Sequence, residues 1–371
     1  MEKLTDICDI QYGYAFDSAC FTEDSSYPPL VRIRDVKRGF SETYYSGEYP
    51  EEYVLHAGDL LVGMDGEFNI ARWKSIDALL NQRVCKLTAK VGTNEEYLRF
   101  AMVKALKTIE DKTAFVTVKH LSAKELNKLE LDIPCIEEQN LRADSLSKLE
   151  KIISLREDEL RQLDDLIKAR FVELFGDTKY PAVPLIDTVK AGAGLSYGIV
   201  VPGDNVEEGI PMVRPSDFKN GQLDLSNVYK VAKEIESKYA KTRLIGDEIL
   251  VQVIGQPGQV MLATTDCKGM NVTRNLAVIR PNHEMINRIY LKEYIEKEDS
   301  QQILLKNTKQ STLKQLPLNL LKQLEVEIPP IELQNQFADF VNQVDKSKVV
   351  VQKALDETQM LFDSLMQKYF G

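Results

Sequence analysis

The sequence has few of the residues from which disulfide frameworks and metal sites are built. Its 371 residues include five cysteines and three histidines. The cysteines are odd in number, scattered along the chain and never spaced as a CxxC pair. This argues against a disulfide framework and against a zinc knuckle. We therefore predict no metal site, and thiols that stay reduced.

Long apolar runs and the signatures of known catalytic sites are also missing. No segment approaches the roughly 20 apolar residues that a membrane-spanning helix requires, and residues 1–4 predict no signal peptide, so a cytoplasmic location is expected. There is no NPPY-like tetrapeptide, no GxGxxG after a strand and no GxxxxGKS/T loop. The acidic pairs Asp65/Glu67 and Asp247/Glu248 lie beside glycines, where carboxylates are usually solvated loop residues. No catalytic residue is predicted.

Acidic side chains outnumber basic ones. The chain has 57 Asp and Glu against 47 Lys and Arg, a formal net charge of -10. This balance is unusual for a protein that binds nucleic acid. Any nucleic-acid-binding face must therefore be local, or be shared with a partner.

One segment of the chain occurs twice. Residues 129–144 read LELDIPCIEEQNLRAD and residues 324–339 read LEVEIPPIELQNQFAD, so ten of sixteen positions are identical at an offset of 195 residues. The same offset aligns Phe175 and Gly176 with Phe370 and Gly371 at the end of the chain. A repeat whose period is half of the chain predicts two tandem copies of one unit.

A long helix is predicted after the start of each repeated segment. Neither glycine nor proline occurs between Glu137 and Phe175 or between Glu332 and Phe370. Each segment, at 39 residues and 1.5 Å per residue, would form a helix of roughly 58 Å. Apolar residues recur along both, which predicts that each helix packs along another helix. These apolar residues are Ile152, Leu155, Leu160, Leu163, Leu166, Ile167, Phe171 and Leu174 in the first, and Val341, Val344, Leu355, Leu361 and Leu365 in the second.

Short strands are predicted ahead of each long helix. Residues 30–36 (LVRIRDV) alternate apolar and polar side chains, which predicts a half-buried strand. An Asp-Gly turn predicts a hairpin within residues 64–73, residues 83–89 predict another strand, and residues 95–109 have the apolar stripe of a helix. Related patterns recur in the second half, at 210–223, 274–279 and 286–295.

These motifs and their order resemble the specificity subunit of a type I DNA restriction–modification system. The resemblance covers the whole chain, and one mild departure from it is Leu333, which stands where the first copy has Glu138. The segments that carry it are IPCIEEQ (133–139), IPPIELQ (328–334), RFVELFG (170–176), GLSYGIVVPGD (194–204), VTRNLAVIRP (272–281), and MDGEFNIARW (64–73) with LLNQR (79–83).

The resemblance implies a fold and a division of the chain. It implies an α+β protein in which two tandem mixed α/β target-recognition domains are separated by two long antiparallel, coiled-coil-like helices, as a pseudo-two-fold internal repeat. The predicted ranges are 1–136 for the first recognition domain, 137–176 for the first spacer helix, 177–331 for the second domain and 332–371 for the second helix.

The resemblance also implies a function. The chain would be a non-catalytic subunit whose two domains each recognise one half of a split double-stranded DNA sequence, while the paired helices set the gap. Two modification subunits would dock on the helices and would bring S-adenosylmethionine to an adenine in each half-site, and restriction subunits would join them. The chain itself would hold no cofactor.

Candidate DNA-binding residues are polar or basic side chains in loops next to the predicted strands, because phosphates and base edges are contacted by such groups. In the first domain they are Arg32, Arg34, Lys37, Arg38, Asp65, Glu67, Asn69, Arg72, Trp73, Gln82, Arg83 and Lys119. In the second domain they are Ser196, Tyr197, Arg214, Lys219, Gln256, Gln259, Thr273, Arg274, Asn275, Lys309 and Gln310.

Each candidate has a structural alternative. Any single one could be a surface residue or a pairing at a strand end, and Arg32 and Arg214 could instead form salt bridges with Asp35 and Asp217. His120, next to Lys119, is more typical of packing than of base reading.

Two other functions stay open from the sequence. The chain could be a self-contained nuclease or methyltransferase with an unrecognised site, which methyl transfer without partners would reveal. It could also be a scaffold that presents two domains to other proteins, in which case random oligonucleotides would show no enrichment.

Overall fold

The computed structural model describes residues 1–112, 120–219, 222–306 and 315–371. The chain forms two compact units. The first unit combines Met1–Glu157 with Gln352–Gly371, and the second unit is Asp158–Val351. Two helices of 40 residues, α5 and α10 as bounded below, each contribute one part to each unit.

The first unit is built from eleven short strands and four helices within its described residues, followed by α5. These are β1 Glu2–Lys3, α1 Leu4–Ile7, β2 Cys8–Tyr12, β3 Phe21–Thr22, β4 Leu30–Val31, α2 Ile33–Arg38, β5 Tyr44–Tyr45, β6 Val54–Leu55, β7 Leu60–Gly63, β8 Asn69–Arg72, β9 Ala78–Leu80, β10 Val84–Ala89, α3 Glu95–Lys112, α4 Ala123–Asn127, β11 Glu130–Leu131 and α5 Ile136–Phe175.

The second unit follows a similar order and leads into α10. Its elements are β12 Ala182–Pro184, β13 Ser196–Tyr197, β14 Ile210–Val213, β15 Phe218–Lys219, β16 Gln222–Leu223, β17 Tyr229–Val231, α6 Lys233–Glu236, β18 Ile249–Gln252, β19 Val260–Leu262, β20 Asn271–Val272, β21 Leu276–Ile279, α7 Arg288–Glu296, α8 Glu298–Leu305, α9 Leu318–Lys322, β22 Glu325–Glu327 and α10 Ile331–Phe370. Short 3₁₀ segments lie at Ser18–Cys20, Glu51–Tyr53, Leu185–Thr188, Pro215–Asp217, Ser237–Thr242 and Thr265–Cys267.

Each unit is centred on a four-stranded antiparallel sheet. The strand order is β2-β10-β7-β8 in the first unit and β13-β21-β18-β19 in the second. Successive side chains of a strand point to opposite faces. In β7 and in β18, therefore, alternate side chains are buried in two different cores, one on each face of the sheet. In β7, Leu60 and Val62 pack in the core that includes α3, whereas Leu61 packs with Trp73 on the other face. Strand β18 divides its side chains between two cores in the same way.

The start of each long helix is locked by the glutamine of the repeated segment. In the first unit the buried Gln139 donates Nε2–H to the carbonyls of Pro134 (2.8 Å) and Gly92 (3.2 Å), and its Oε1 accepts the Asn94 N–H (2.9 Å). In the second unit Gln334 makes the equivalent bonds, of 2.8, 3.2 and 2.8 Å. The side-chain hydrogen-bonding groups of both amides are therefore used, as burial of a polar side chain requires.

The end of each long helix is held by its phenylalanine. Phe175, near the end of α5, packs on Tyr290 of the second unit with ring centroids 4.8 Å apart. Phe370, near the end of α10, packs on Tyr97 of the first unit at 5.2 Å. Both tyrosine hydroxyls donate, at 2.9 Å, to a carbonyl of the repeated segment. The offset of 195 residues thus reflects the same packing in both copies.

Within each unit the two long helices run antiparallel. In the first unit, Arg142 donates to the carbonyl of Tyr369 (3.4 Å) and Arg156 bonds to Thr358. In the second unit, Asp164 pairs with Lys348 at 2.5 Å, and further along α5 Phe171 packs on Phe337. Residue numbers rise on one helix as they fall on the other, which confirms the predicted antiparallel pairing.

The predicted apolar seam is only partly buried. Ile167 is buried, and Leu163, Phe171 and Leu174 pack against the core of the second unit. Leu155 and Leu166, predicted in the same seam, are exposed. A period close to 3.5 in the apolar residues does not specify which turns of a helix pack against another element. Coiled-coil packing of these helices stays a prediction. The four predicted domain ranges also stay predictions.

One predicted strand is wrong. The alternating residues 30–36 form a strand only at Leu30–Val31, after which α2 begins. The carboxylate of Asp35 accepts the backbone N–H of Arg32 (2.9 Å), which starts the helix, and Gly39 ends it with a φ of 77°. The predicted hairpin in 64–73, the strand in 83–89 and the helix in 95–109 are confirmed as β7–β8, β10 and α3. Among the described helices, none combines the length and the hydropathy needed to cross a membrane.

Candidate nucleic-acid interface

Several loops of the first unit meet at one end of its main sheet. Backbone hydrogen bonds join them: Gln82 N–H donates to Tyr14 (2.7 Å), Met64 N–H donates to Arg83 (2.9 Å), and Leu121 N–H donates to Met64 (2.7 Å). The segment after β2, the β7–β8 turn and the loop after β9 are therefore fixed to one another. We call this group of loops the first loop edge.

A glycine permits the closest approach in this edge. A Cβ on Gly13 would lie 2.0 Å from the carbonyl oxygen of Asn81, which no side chain can tolerate. In the second unit, a Cβ on Gly198 would lie at the same distance from the carbonyl oxygen of Val272. Both units thus cross the same two segments and need glycine for the same reason.

Asp65, Arg83 and His120 form an ionic cluster at the first loop edge. One carboxylate oxygen of Asp65 accepts a hydrogen bond from the Arg83 guanidinium, and the other contacts Nδ1 of His120. The Asp65 side chain is 16% exposed, whereas those of Arg83 and His120 are 52% and 51% exposed. The half-buried carboxylate of Asp65 therefore holds two side chains that are each about half exposed.

The backbone of Arg83 is in the left-handed region. Its φ is 74°, and among the described non-glycine residues it alone has a positive φ. Such a conformation is unfavourable for a long side chain and persists only where the surroundings impose it. Here the surroundings include the bond that its carbonyl accepts from Met64 and the ion pair with Asp65.

Helix α2 presents basic side chains beside the β7–β8 turn. Lys37 is exposed and lies 3.9 Å from Glu67. Arg38 pairs with Glu42 at 2.9 Å, and Arg34 lies 3.7 Å from Asp35. The Arg32 side chain is exposed and has no ion pair with a described residue, so the alternative of a salt bridge to Asp35 is not observed.

Asparagine and glutamine side chains complete the first loop edge. Gln82 is exposed, and Asn69 donates Nδ2–H to the carbonyl of Glu67 (3.0 Å). The side-chain oxygens of Asn69 and Asn81 are buried and have no hydrogen-bond partner in the described part of the chain. An unpaired buried carbonyl is unfavourable, and here it occurs twice within one edge.

Arg72 and Trp73 are part of the framework rather than of this surface. Arg72 bonds to Glu95 (2.6 Å), to Glu96 (2.5 Å) and to the carbonyl of Gly58 (2.6 Å). Burial alone would lower its pKa, but the two carboxylates raise the pKa of Arg72 above its ordinary value. Trp73 is buried in a core and donates its indole N–H to Ile76 (2.7 Å). Neither residue therefore belongs to the candidate surface, because Arg72 is held by two carboxylates and a carbonyl of the framework, and Trp73 is buried.

The second unit has an equivalent edge with different side chains. Arg274 N–H donates to Ile199 (2.9 Å), Val253 N–H donates to Asn275 (2.8 Å), and Leu316 N–H donates to Val253 (2.8 Å). The bridge between Asp65 and His120 has its counterpart between Ile254 and Gln315. In the second loop edge, therefore, Ile254, Asn275 and Gln315 occupy the backbone positions of Asp65, Arg83 and His120.

The predicted residues of the second domain divide into two groups. Gln256, Gln259 and Arg274 are exposed in loops of the second edge, and Thr273 and Asn275 are half-buried there. Three others lie elsewhere. Ser196 and Tyr197 lie in β13, where Tyr197 packs against the core, and Arg214 is paired with Asp217 at 2.7 Å. For Arg214 the structural alternative of a salt bridge is therefore the one observed.

Three predicted residues lie outside the described ones, namely Lys119, Lys309 and Gln310, and so does the side chain of Lys219. Among the described residues, no group of three or more His, Cys, Asp and Glu is arranged to hold a metal ion.

His120, whose sequence context is typical of a packing residue, and Gln315, for which no motif predicted a role, occupy equivalent positions in the two loop edges. Spacing gives no signal for the contact of His120 with Asp65, because 55 residues separate them. The repeat offset could have paired the two positions, since Leu121 and Leu316 are also 195 residues apart.

Comparison with known proteins identifies similar chains over the whole length. Residues 1–164 and 203–357 match the family described as "Type I restriction modification DNA specificity domain". The type I restriction enzyme EcoBI specificity subunit of Escherichia coli is 31% identical over 403 residues, which covers 99% of this chain and 84% of that protein. The crystal structure of a type I restriction–modification S subunit from M. genitalium has the same fold, with a TM-score of 0.58 at 15% identity, and the match covers 100% of this chain and 95% of that one.

Proposed function

Because the chain belongs to the family of type I restriction–modification DNA specificity proteins, we propose that it is the DNA sequence-recognition subunit of a type I restriction–modification complex. The observation that carries the proposal is the match of the family to both halves of the chain. Specificity subunits of these systems are non-catalytic, and the chain is accordingly not itself an enzyme.

The two loop edges support a bipartite target. Both units keep the same backbone crossing, marked by Gly13 and Gly198, but place different side chains on it. Base edges are distinguished by the donors and acceptors that a side chain offers, so two frames with unlike side chains would read two unlike half-sites. Each unit would bind one half of a split sequence in double-stranded DNA.

The partners in this proposal are DNA, modification subunits and restriction subunits. Two modification subunits would dock on α5 and α10, which carry exposed apolar side chains that a partner could cover. These include Leu141, Leu155, Val172, Val349, Val350, Met360 and Leu361. S-adenosylmethionine would be bound by the modification subunits. A cytoplasmic location, predicted from the sequence, belongs to the same proposal.

The experiment that tests the proposal maps methylated positions in a random DNA pool exposed to the chain and its modification subunit. We expect two short fixed blocks separated by a constant gap. The absence of enriched blocks would contradict a recognition subunit and favour a scaffold. Methyl transfer by the chain without any partner would instead indicate a self-contained enzyme.

A further inference from the structure

The ionic cluster of the first loop edge is not required by the fold. The second unit keeps the same backbone bonds with Ile254, Asn275 and Gln315, which form no ion pair with one another. The frame therefore tolerates neutral side chains at all three positions. Some other requirement must explain a half-buried carboxylate with a cation beside it in the first unit.

The guanidinium of Arg83 is held by one hydrogen bond, which leaves most of its N–H donors without a partner among the described residues. An arginine has five N–H donors in a planar fork, and one hydrogen bond to Asp65 is the only one that this guanidinium forms with a described residue. About half of the side chain is exposed. Asp65 also contacts His120, so the carboxylate that holds the guanidinium is itself held in place, and the other N–H donors of Arg83 have no partner among the described residues.

The backbone of Arg83 gives a second, independent indication. Left-handed φ values at long side chains cluster at functional sites, where they aim a side chain. Asn81, two residues earlier, adds a buried side-chain oxygen without a hydrogen-bond partner among the described residues. The strained backbone of Arg83 and the unpaired side-chain oxygen of Asn81 thus lie in one short loop.

We infer that Arg83 is a specificity-determining residue that reads a guanine in the half-site bound by the first unit, and that Asp65 and His120 are positioning residues for it. The inference rests on the proposed function. A planar fork with free parallel donors matches the O6 and N7 acceptors of guanine in the major groove, and this match is specific to guanine. The equivalent Asn275 has amide chemistry, which offers a different pattern, so the two half-sites are read differently.

The test is selection of bound and methylated sequences from a random pool by the full chain with its modification subunit. Wild type is compared with Arg83→Lys and Arg83→Asn. Lysine keeps the charge but loses the fork, and asparagine tolerates a left-handed backbone and is the residue at the equivalent position of the second unit. Asn275→Ala in the second unit is the matched control.

We expect wild type to require guanine at one position of one block. Both Arg83 variants should lose that preference by about 5- to 150-fold, which is the discrimination that a bidentate contact provides, while the other block is unchanged. Asn275→Ala should affect the other block only. Asp65→Asn should weaken the guanine preference less than Arg83→Lys does, because it loosens the fork without removing it.

Three outcomes would overturn the inference. Unchanged blocks with both Arg83 variants would show that Arg83 reads no base, and a uniform loss of affinity with unchanged preferences would show a phosphate contact. A wild-type selection with two blocks but no guanine sensitive to Arg83 would leave the proposed function intact and remove only this role. The thermal unfolding midpoint of each variant shows whether it folds. If Arg83→Asn does not fold, the result with Arg83→Lys alone tests the inference.

Discussion

Gln139 and Gln334, at equivalent positions of the repeat, have a structural role. Each amide joins the start of a long helix to the loop that precedes α3 or α7. The neighbouring Asn140 and Asn335 accept hydrogen bonds from the same loops, from Asn94 (2.7 Å) and Asn287 (2.8 Å). Identity of the two copies at these positions is therefore explained by the hydrogen bonds that join these elements.

Replacing Gln139 by alanine should lower the free energy of unfolding by about 1–3 kcal/mol for each buried group that it leaves without a partner. Urea unfolding of the full chain measures this. Asn140→Ala is the control, since it removes one exposed hydrogen bond and should cost less. Equal losses of stability in the two variants would contradict the proposed role of Gln139 in joining α5 to the loop before α3.

Replacing Trp73 by phenylalanine tests its removal from the candidate surface. The variant should be less stable, because it loses the indole hydrogen bond to Ile76 and leaves a void in the core. The base preferences of the assembled complex should be unchanged. A lost base preference in a normally stable variant would restore Trp73 as a DNA-binding residue.

At the scale of elements, charge pairs attach α3 to its neighbours. Arg99 bonds to Glu96 (2.7 Å) and to Glu150 of α5 (2.5 Å), and Glu96 also bonds to Arg72 of β8 (2.5 Å). Burial alone would raise the pKa of Glu96, but the bonds with Arg99 and Arg72 hold that pKa below its ordinary value of 4.5. The network thus joins α3 to β8 and to α5.

This network should make stability depend on pH. Because the pKa of Glu96 is lowered in the folded state, the unfolded state binds more protons near that pH, so its contribution is present above about pH 4.5 and is lost as the pH falls through the folded value. Glu96→Gln should therefore destabilise the protein by about 1–3 kcal/mol at neutral pH.

The difference from wild type should shrink in acid, which urea unfolding at several pH values measures. Glu67→Gln is the control: its carboxylate is 74% exposed and 3.9 Å from Lys37, so it should matter by less than about 1 kcal/mol at any pH. A Glu96→Gln effect that stays constant down to pH 3 would refute the linkage.

At the scale of the whole molecule, α5 and α10 are the elements that both units share. If they set the gap between the half-sites, removing two turns, or seven residues, from both helices should shorten it. Seven residues correspond to about 10 Å, which is about 3 base pairs at 3.4 Å each.

Methylation mapping with the shortened chain would show a gap reduced by about 3 base pairs, or no binding if the shortened helices no longer position the units. Two blocks with an unchanged gap would refute the spacer role.

The net charge of -10 leads to a further expectation for the whole chain. The chain alone should bind DNA weakly and with strong salt sensitivity, and tight binding should need the partner subunits, whose basic surface would contribute most phosphate contacts. Titration of a cognate duplex at two salt concentrations, with and without the modification subunit, measures this. Nanomolar, sequence-specific binding by the chain alone would contradict it.

The sequence by itself determined the duplication, the two long helices, the hairpin around Asp65 and the family, because each of these depends on local pattern or on identity between positions. Only the tertiary structure decided which polar residues face solvent. Apolar and polar side chains alternate over residues 30–36 as in a strand, yet α2 begins at Ile33, because the carboxylate of Asp35 accepts the Arg32 N–H and caps the helix. Arg72, Trp73 and Arg214 look like DNA-binding side chains, yet Arg72 bonds to glutamates of α3, Trp73 is buried and bonds to the carbonyl of Ile76, and Arg214 pairs with Asp217. The contact of Asp65 with Arg83 and His120 depends on loops brought together by backbone bonds across the sheet, and no spacing in the chain encodes it.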